Sequence, residues 1–157
     1  MDYILQFVAS FIATACFGTI FNVPPKTYFH CGLVGALGWI IYYALTKQGL
    51  DVVEASFFGA FVIAIVAHTY ARRFKMPMLI FSVAGIIPLV PGGMAYNSMR
   101  FVVEDDYIQG IQYGMKAFLI TGAIVIGLVF AEVLVQLVFR VIHASKVKME
   151  MVKKIKS

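Results

Sequence analysis

Residues 86–93 read Ile-Ile-Pro-Leu-Val-Pro-Gly-Gly, within an apolar segment long enough to cross a membrane as a helix. Pro88 and Pro91 each remove a backbone donor, and Gly92 and Gly93 can adopt conformations that other residues avoid. A regular helix therefore breaks here. Non-helical backbone at membrane depth must be buried in protein or line a water-filled cavity, so the stretch predicts either a binding site or a simple proline kink.

The composition around this stretch is that of a membrane protein. Of 157 residues, 61% are apolar and 13% are charged, whereas a soluble domain carries about 25% charged residues. The apolar runs are near the roughly 20 residues that a transmembrane helix needs, and they do not alternate as barrel strands do. We predict an all-α integral membrane fold of about five helices, or four if the fourth is re-entrant. The predicted helices cover residues 3–21, 28–45, 52–71, 77–90 with a second half to 103, and 111–141.

The distribution of basic residues predicts the orientation. With five spans, ten of the thirteen Lys and Arg residues fall on one side of the membrane. Because cytoplasmic loops are enriched in Lys and Arg, that side is predicted to be the cytoplasm, with the N-terminus outside and the C-terminus inside. The ten are Lys26, Arg72, Arg73, Lys75, Arg140, Lys146, Lys148, Lys153, Lys154 and Lys156.

The chain divides into one transmembrane domain, residues 1–145, and a basic tail, residues 146–157. In the tail, Val147, Met151 and Ile155 recur every four residues with lysines between them. This pattern is typical of an amphipathic segment on anionic inner-leaflet lipid. The positive charge of the chain comes largely from this tail, which argues against nucleic acid as a partner.

The break offers groups that could bind an anion. If Pro91 starts a second half-helix, the amides of Gly92, Gly93 and Met94 face a carboxylate at the positive end of the helix. Asn97 and Ser98, about a turn later, could add hydrogen bonds. The predicted substrate-binding residues are Pro88, Pro91, Gly92, Gly93, Asn97 and Ser98.

A second polar group lies in the last helix. Glu132 is the acidic residue well inside an apolar span, and Gln136 and Arg140 follow at four-residue steps on the same stripe. A carboxylate at such depth often serves an ion or proton pathway, although it can also be structural and hydrogen-bonded to Gln136. His68 is a further candidate for the pathway or, alternatively, an interfacial side chain.

Enzymatic chemistry has no support in the sequence. It contains no phosphate-binding glycine loop, HExxH motif or nucleophile elbow, and its three histidines lie on separate segments, so we predict no cofactor and no metal. Small residues at close spacing indicate helix packing without identifying the neighbouring helix. They are Gly32, Gly35 and Gly38 in the second helix, and Ala123, Gly127 and Ala131 in the last.

Several of these residues carry a resemblance. Phe21-Asn22-Val23-Pro24 after the first helix, and the stretch 86–93 with Tyr96 beyond it, resemble the threonine/serine exporter family. The length, the loop spacing and the Gly49-Leu50-Asp51 turn resemble the small, stand-alone subunit of its split members.

The resemblance implies a bacterial inner-membrane exporter of small carboxylates or amino acids, in the succinate or threonine/serine class. It implies a larger membrane subunit as partner, and homo-oligomers are also compatible with the short helices. Two alternatives stay open: a scaffold subunit that does not transport, and a channel formed by self-association.

Overall fold

The computed structural model describes the backbone of residues 2–156 and the side chains of residues 2–140. The described residues contain helices and no strands, which confirms the predicted all-α class. Four helices are long and apolar enough to span a membrane, and a bent helix pair could form a fifth span. The helices are α1 (Asp2–Ile20), α2 (Tyr28–Lys47), α3 (Val52–Phe74), α4 (Leu79–Ile86), α5 (Gly92–Val103) and α6 (Tyr107–Lys156).

Helices α1, α2, α3 and α5 end in the same local way. The first or second residue after each helix takes a left-handed φ, and the amide of the next residue bonds back to a carbonyl five residues earlier, as in a Schellman motif. Leu50 N–H, for example, donates to the Leu45 carbonyl at 3.2 Å beside Gly49, whose φ is 93°. The other left-handed residues are Asn22, Lys75 and Asp105.

The last helix begins four residues earlier than the sequence predicts. The Asp106 carboxylate accepts a hydrogen bond from Gln109 N–H at 3.1 Å, and the Asp106 carbonyl accepts one from Gly110 N–H. This cap starts α6 at Tyr107 rather than near residue 111. At the other end α6 continues through Lys156. The side chains of the predicted tail, 146–157, lie outside the described residues, so its amphipathic face stays a prediction.

The helices pack in the order α1, α2, α3, α6, with α4 against α2 and α3 and α5 against α6. Glycines allow neighbouring helices to approach each other closely. A side chain at Gly35 would overlap Thr14, one at Gly38 would overlap Ile63, and one at Gly127 would meet the Phe57 carbonyl. The predicted small-residue stripes thus serve contacts within the chain, α2 with α1 and α3, and α6 with α3.

The bundle has two distinct ends. The basic end carries Lys26 and the α3–α4 connection, with Arg72, Arg73 and Lys75. The turn end carries the α2–α3 connection at 48–51. The α4–α5 pair starts at the basic end, where Phe81 packs on Phe74, and leaves at the turn end. The bent pair is compatible with one broken span or with a re-entrant loop, the two arrangements that the sequence also allows.

Candidate functional site

The predicted break is present between α4 and α5. A single turn of 3-10 helix, Ile87–Leu89, follows α4, Val90 is extended, and Pro91 precedes α5. The two helical pieces differ in direction by 50°. The prolines account for the interruption, because neither offers an N–H to a preceding carbonyl.

The start of α5 is open. No side chain caps it, and Gly92 N–H donates to the Val90 carbonyl at 2.7 Å, which leaves the amides of Gly93 and Met94 without helical partners. Gly92 and Gly93 have negative φ, and no atom lies within 4 Å of a Cβ built on either. Neither packing nor backbone strain therefore requires glycine here. Because neither glycine carries a side chain, the amides at this end of the helix stay accessible to a ligand.

A cavity of about 220 Å³ adjoins this helix start. Tyr42 brings a phenol, and the buried Ser56 hydroxyl donates to the Val52 carbonyl at 2.7 Å. The indole N–H of Trp39 donates to Gln6 Oε1 at 2.8 Å, which fixes the ring against the wall. The lining residues are Trp39, Tyr42, Val52, Ser56, Pro88, Leu89, Val90, Pro91, Gly93, Met94 and Ile120.

Half of the predicted binding residues line this cavity. Pro88, Pro91 and Gly93 line it, whereas Gly92, Asn97 and Ser98 do not. Ser98 Oγ donates to the Gly110 carbonyl at 2.7 Å and so joins α5 to α6, and Asn97 is half-buried further along α5. The roles predicted for Asn97 and Ser98 remain predictions.

The polar group of α6 lies at a different level. Gln136 Nε2 donates to Glu132 Oε1 at 3.3 Å, and Glu132, Gln136 and Arg140 are all exposed. His68 is half-buried on α3, and its ring stacks on Phe139 with centroids 6.1 Å apart. His68 thus lies at the α3–α6 contact with Glu132 near enough for its charge to act on it, whereas Gln136 and Arg140 are exposed.

Two charged side chains of opposite sign, Arg72 and Glu132, lie near His68. The Arg72 guanidinium carbon lies 3.2 Å from the Phe139 ring centroid, and the charges of Arg72 and Glu132 both act on the His68 imidazole. His68 Nδ1 is buried and has no hydrogen-bond partner among the described residues. None of these residues lines the cavity at the break, so the two predicted groups are separate sites.

Sequence reasoning missed the aromatic wall of the cavity. Trp39 is the single tryptophan of the chain, and Tyr42 follows it at helical spacing on α2. A Trp and a Tyr on one apolar helix are equally compatible with an interfacial aromatic belt, which is a property of one helix alone. Only the packing of α2 against the 87–91 segment shows that this pair faces the break. Across the residues whose side chains are described, no three His, Cys, Asp or Glu residues come together as a metal site.

Comparison with known proteins gives one family. The family model described as Threonine/Serine exporter, ThrE, matches residues 6–134. An uncharacterized protein of Haemophilus influenzae is 33% identical over 120 residues, which is 71% of this chain and 40% of the relative. The chain therefore spans about two fifths of the length of that curated relative. No solved structure matches the chain.

Proposed function

The chain belongs to the threonine/serine exporter family, and on that premise we propose that it is a subunit of an inner-membrane exporter of small carboxylates or amino acids. Transport of this type agrees with the helical membrane fold. The substrate class, the partner and the route through the membrane are the parts that the proposal adds.

The observation that carries the proposal is the cavity beside the open start of α5. Two helix amides, those of Gly93 and Met94, adjoin it at the positive end of a helix dipole, where a carboxylate is stabilised. The volume of about 220 Å³ lies below the roughly 300–1,000 Å³ of sites for drug-sized ligands. A site of this size suits a small acid such as succinate, threonine or serine.

We further propose a larger membrane subunit as the partner. The relative from Haemophilus influenzae extends well beyond the matched region, which makes up 40% of it. Large apolar side chains are exposed along both α1 and α6, for example Ile4 and Phe118. A second subunit equivalent to the remainder of the relative would cover part of this surface and complete a transport path.

The charged ends support an orientation. Lys26, Arg72, Arg73 and Lys75 lie at the basic end, and Arg140 joins them because Phe139 packs on Arg72. Since cytoplasmic loops are rich in Lys and Arg, we propose that the basic end faces the cytoplasm and that the N-terminus lies outside. The cavity at the break then lies near the outer face.

The test of the binding site is Gly93→Ala. A methyl group at Gly93 meets no atom of the chain within 4 Å, so the fold accepts it, but the methyl group obstructs the approach of a carboxylate to the amides. We expect export of labelled succinate or threonine, measured as efflux from preloaded cells with the larger subunit present, to fall several-fold. Gly92→Ala is the comparison, because Gly92 does not line the cavity and its amide is already bonded; its effect should be smaller.

If Gly93→Ala and the unchanged chain export the substrate equally well, the start of α5 is not part of the binding site. Efflux of one substrate alone would identify the cargo.

For the coupling group we propose Glu132. Glu132→Gln keeps the shape and the hydrogen bond to Gln136 but removes the charge, so export driven by a proton gradient should slow while expression stays normal. Glu54→Gln, at the exposed first turn of α3, is the matched control. Normal flux with unchanged pH dependence in Glu132→Gln would exclude Glu132 from coupling.

A scaffold role is the second candidate, favoured by the separation of the cavity from the Glu132 group. It predicts unchanged efflux when this chain is deleted and the larger subunit is retained. A self-associated channel, by contrast, predicts ion conductance from the purified chain alone.

A further inference from the structure

An apolar groove opens at the basic end of the bundle, separate from the cavity at the break. Its volume is about 260 Å³, and it lies between the α1–α2 connection and the first two turns of α4. Val23 and Ala84 are buried at its floor, whereas Phe21 and Leu79 are 51% and 70% exposed at its edges. All of its lining side chains are apolar: Phe21, Val23, Leu79, Ile80, Val83 and Ala84.

The groove runs from the end of the bundle toward its interior. Leu79 is the first residue of α4, directly after the α3–α4 connection. Val83 and Ala84 follow it by four and five residues, which places them about 6 to 7.5 Å further along the helix. One end of the groove is therefore near the lipid headgroups and the other is in the hydrocarbon, which is the orientation of an acyl chain in a bilayer.

Two lysines flank the mouth of the groove. Lys26 follows Val23 by three residues, and Lys75 precedes Leu79 by four. An extended chain spans at most about 3.6 Å per residue, so these steps cover no more than about 11 Å and about 14 Å. Both lysines are exposed, and neither forms an ion pair with the side chains of residues 2–140.

The two connections at this end carry no acid of their own. Residues 21–27 and 75–78 contain neither Asp nor Glu. At the turn end, by contrast, Lys47 is followed by Asp51 and Glu54. The positive charge at the mouth of the groove is therefore not balanced by neighbouring carboxylates, and it can attract an external anion.

We propose that the groove binds an anionic phospholipid, with one acyl chain along its apolar residues and the phosphate at Lys26 and Lys75. Basic sites between membrane helices bind the headgroups of anionic lipids in this way. A free anion would leave the apolar walls unused. A zwitterionic lipid would bring no net negative charge to the two ammonium groups.

The size of the groove favours a lipid chain over a helix of another protein. An α-helix with its side chains is about 10–12 Å in diameter, so one turn of 5.4 Å occupies roughly 400–600 Å³. The groove, at about 260 Å³, is too small for that turn. An acyl chain is much thinner than a helix and lies along the groove instead of across it.

Quenching of tryptophan fluorescence by brominated lipids measures the lipid preference at the groove. Trp39 is the single tryptophan of the chain, so Trp39→Phe removes the background emission. Phe21→Trp places a reporter at the edge of the groove. Phe130→Trp on α6 is the matched control, because Phe21 and Phe130 are 51% and 52% exposed. The purified chain is reconstituted with brominated phosphatidylglycerol or with brominated phosphatidylcholine of the same acyl chains.

We expect phosphatidylglycerol to bind several-fold more tightly than phosphatidylcholine at Phe21→Trp, and about equally well at Phe130→Trp. Comparing the two lipids at each position cancels the difference in depth between the reporters. Leu79→Trp, at the opposite edge of the groove, is a second reporter and should show the same preference as Phe21→Trp.

Charge variants test the headgroup contact. Lys26→Gln with Lys75→Gln should abolish the preference for phosphatidylglycerol at the groove. Lys47→Gln with Lys116→Gln removes the same charge from two exposed positions away from the groove and should leave the preference unchanged.

Equal binding of the two lipids at both groove reporters would overturn the proposal, as would a preference that survives the loss of Lys26 and Lys75. If neither lipid quenches the groove reporters, another part of a protein covers the groove, and the proposal is also wrong. The assay needs neither substrate nor the larger subunit, so failure of export in the efflux assay leaves this result unaffected.

Discussion

The α1–α4 bundle and the α5–α6 hairpin, residues 92–119, differ in what their large side chains contact. In the bundle the buried positions are largely small, and Gly38 approaches Gly59 and Ile63 closely enough to exclude any side chain of its own. In the hairpin, Gly110 and Gly114 allow an equally close approach of α6 to α5, but large side chains on its other face are exposed, as Phe118 is. Within a bilayer, helices associate through close van der Waals contact rather than through apolar burial. The bundle therefore contains most of the buried core, whereas α5 has no buried residue.

We expect the largest difference between the two regions in the loss of stability caused by Phe81→Ala and by Phe118→Ala. Phe81 is completely buried against Tyr70 and Phe74, whereas Phe118 is 74% exposed. Removing a buried phenylalanine costs about 3–5 kcal/mol in soluble cores. We expect the lower end of this range for Phe81→Ala, because lipid also solvates the Phe81 ring when the helices separate. Phe118→Ala should change the free energy of unfolding little. Denaturant titration in mixed micelles measures both, and similar losses would contradict the contrast between the regions.

The next largest effect is expected from adding a methyl group to a close helix contact. At Gly38 a new Cβ overlaps the Ile63 side chain, so Gly38→Ala should destabilise by about 1–3 kcal/mol, the range for overpacking. Gly122→Ala adds the same methyl where no atom lies within 4 Å. It should be neutral or stabilise by up to about 1 kcal/mol through helix propensity. Thermal unfolding of both variants in one detergent gives the comparison, and equal stability would show that α2 and α3 can separate at no cost.

The smallest effect concerns the hydrogen bond that orients the cavity wall. Gln6→Leu leaves the Trp39 indole N–H without its acceptor. Interhelical hydrogen bonds in membranes contribute on average about 0.6 kcal/mol and at most about 1.7 kcal/mol, so the loss of stability should fall in that range. Gln112→Leu, at an exposed position of the α5–α6 hairpin, is the control. Tryptophan fluorescence follows the indole directly, and an unchanged spectrum in Gln6→Leu would show that the ring does not depend on this bond.

Much of the fold is predictable because its signals are local. The prolines at 88 and 91 interrupt a helix whatever surrounds them, and the turn signals after α1, α2 and α3 lie within a few residues of the observed ends. The early start of α6 escaped prediction because it depends on Asp106, whose acidic loop is equally compatible with a longer connection. A carboxylate becomes a helix cap only when the following backbone bends toward it.

The candidate site is predictable only in part, for a related reason. Pro88, Pro91 and Gly93 are recognisable because their own backbone properties set them apart. Trp39, Tyr42 and Ser56 are ordinary residues of apolar helices, and only their position opposite the break makes them lining residues. Glu132 is conspicuous as a carboxylate in an apolar span, yet no pattern along the chain indicates that it lies on an outward face away from the cavity.

The sequence by itself determined the membrane class, the helices, the break and the family, because length, apolar content and missing amide donors act within one segment. The tertiary structure decided which helices are neighbours, how the Trp39–Tyr42 pair meets the open start of α5, and which face of α6 stays uncovered. Those outcomes depend on fits between distant positions, such as Gly38 against Ile63 and Gly127 against Phe57. The free energy of such a contact belongs to the pair of surfaces, so neither segment alone encodes it.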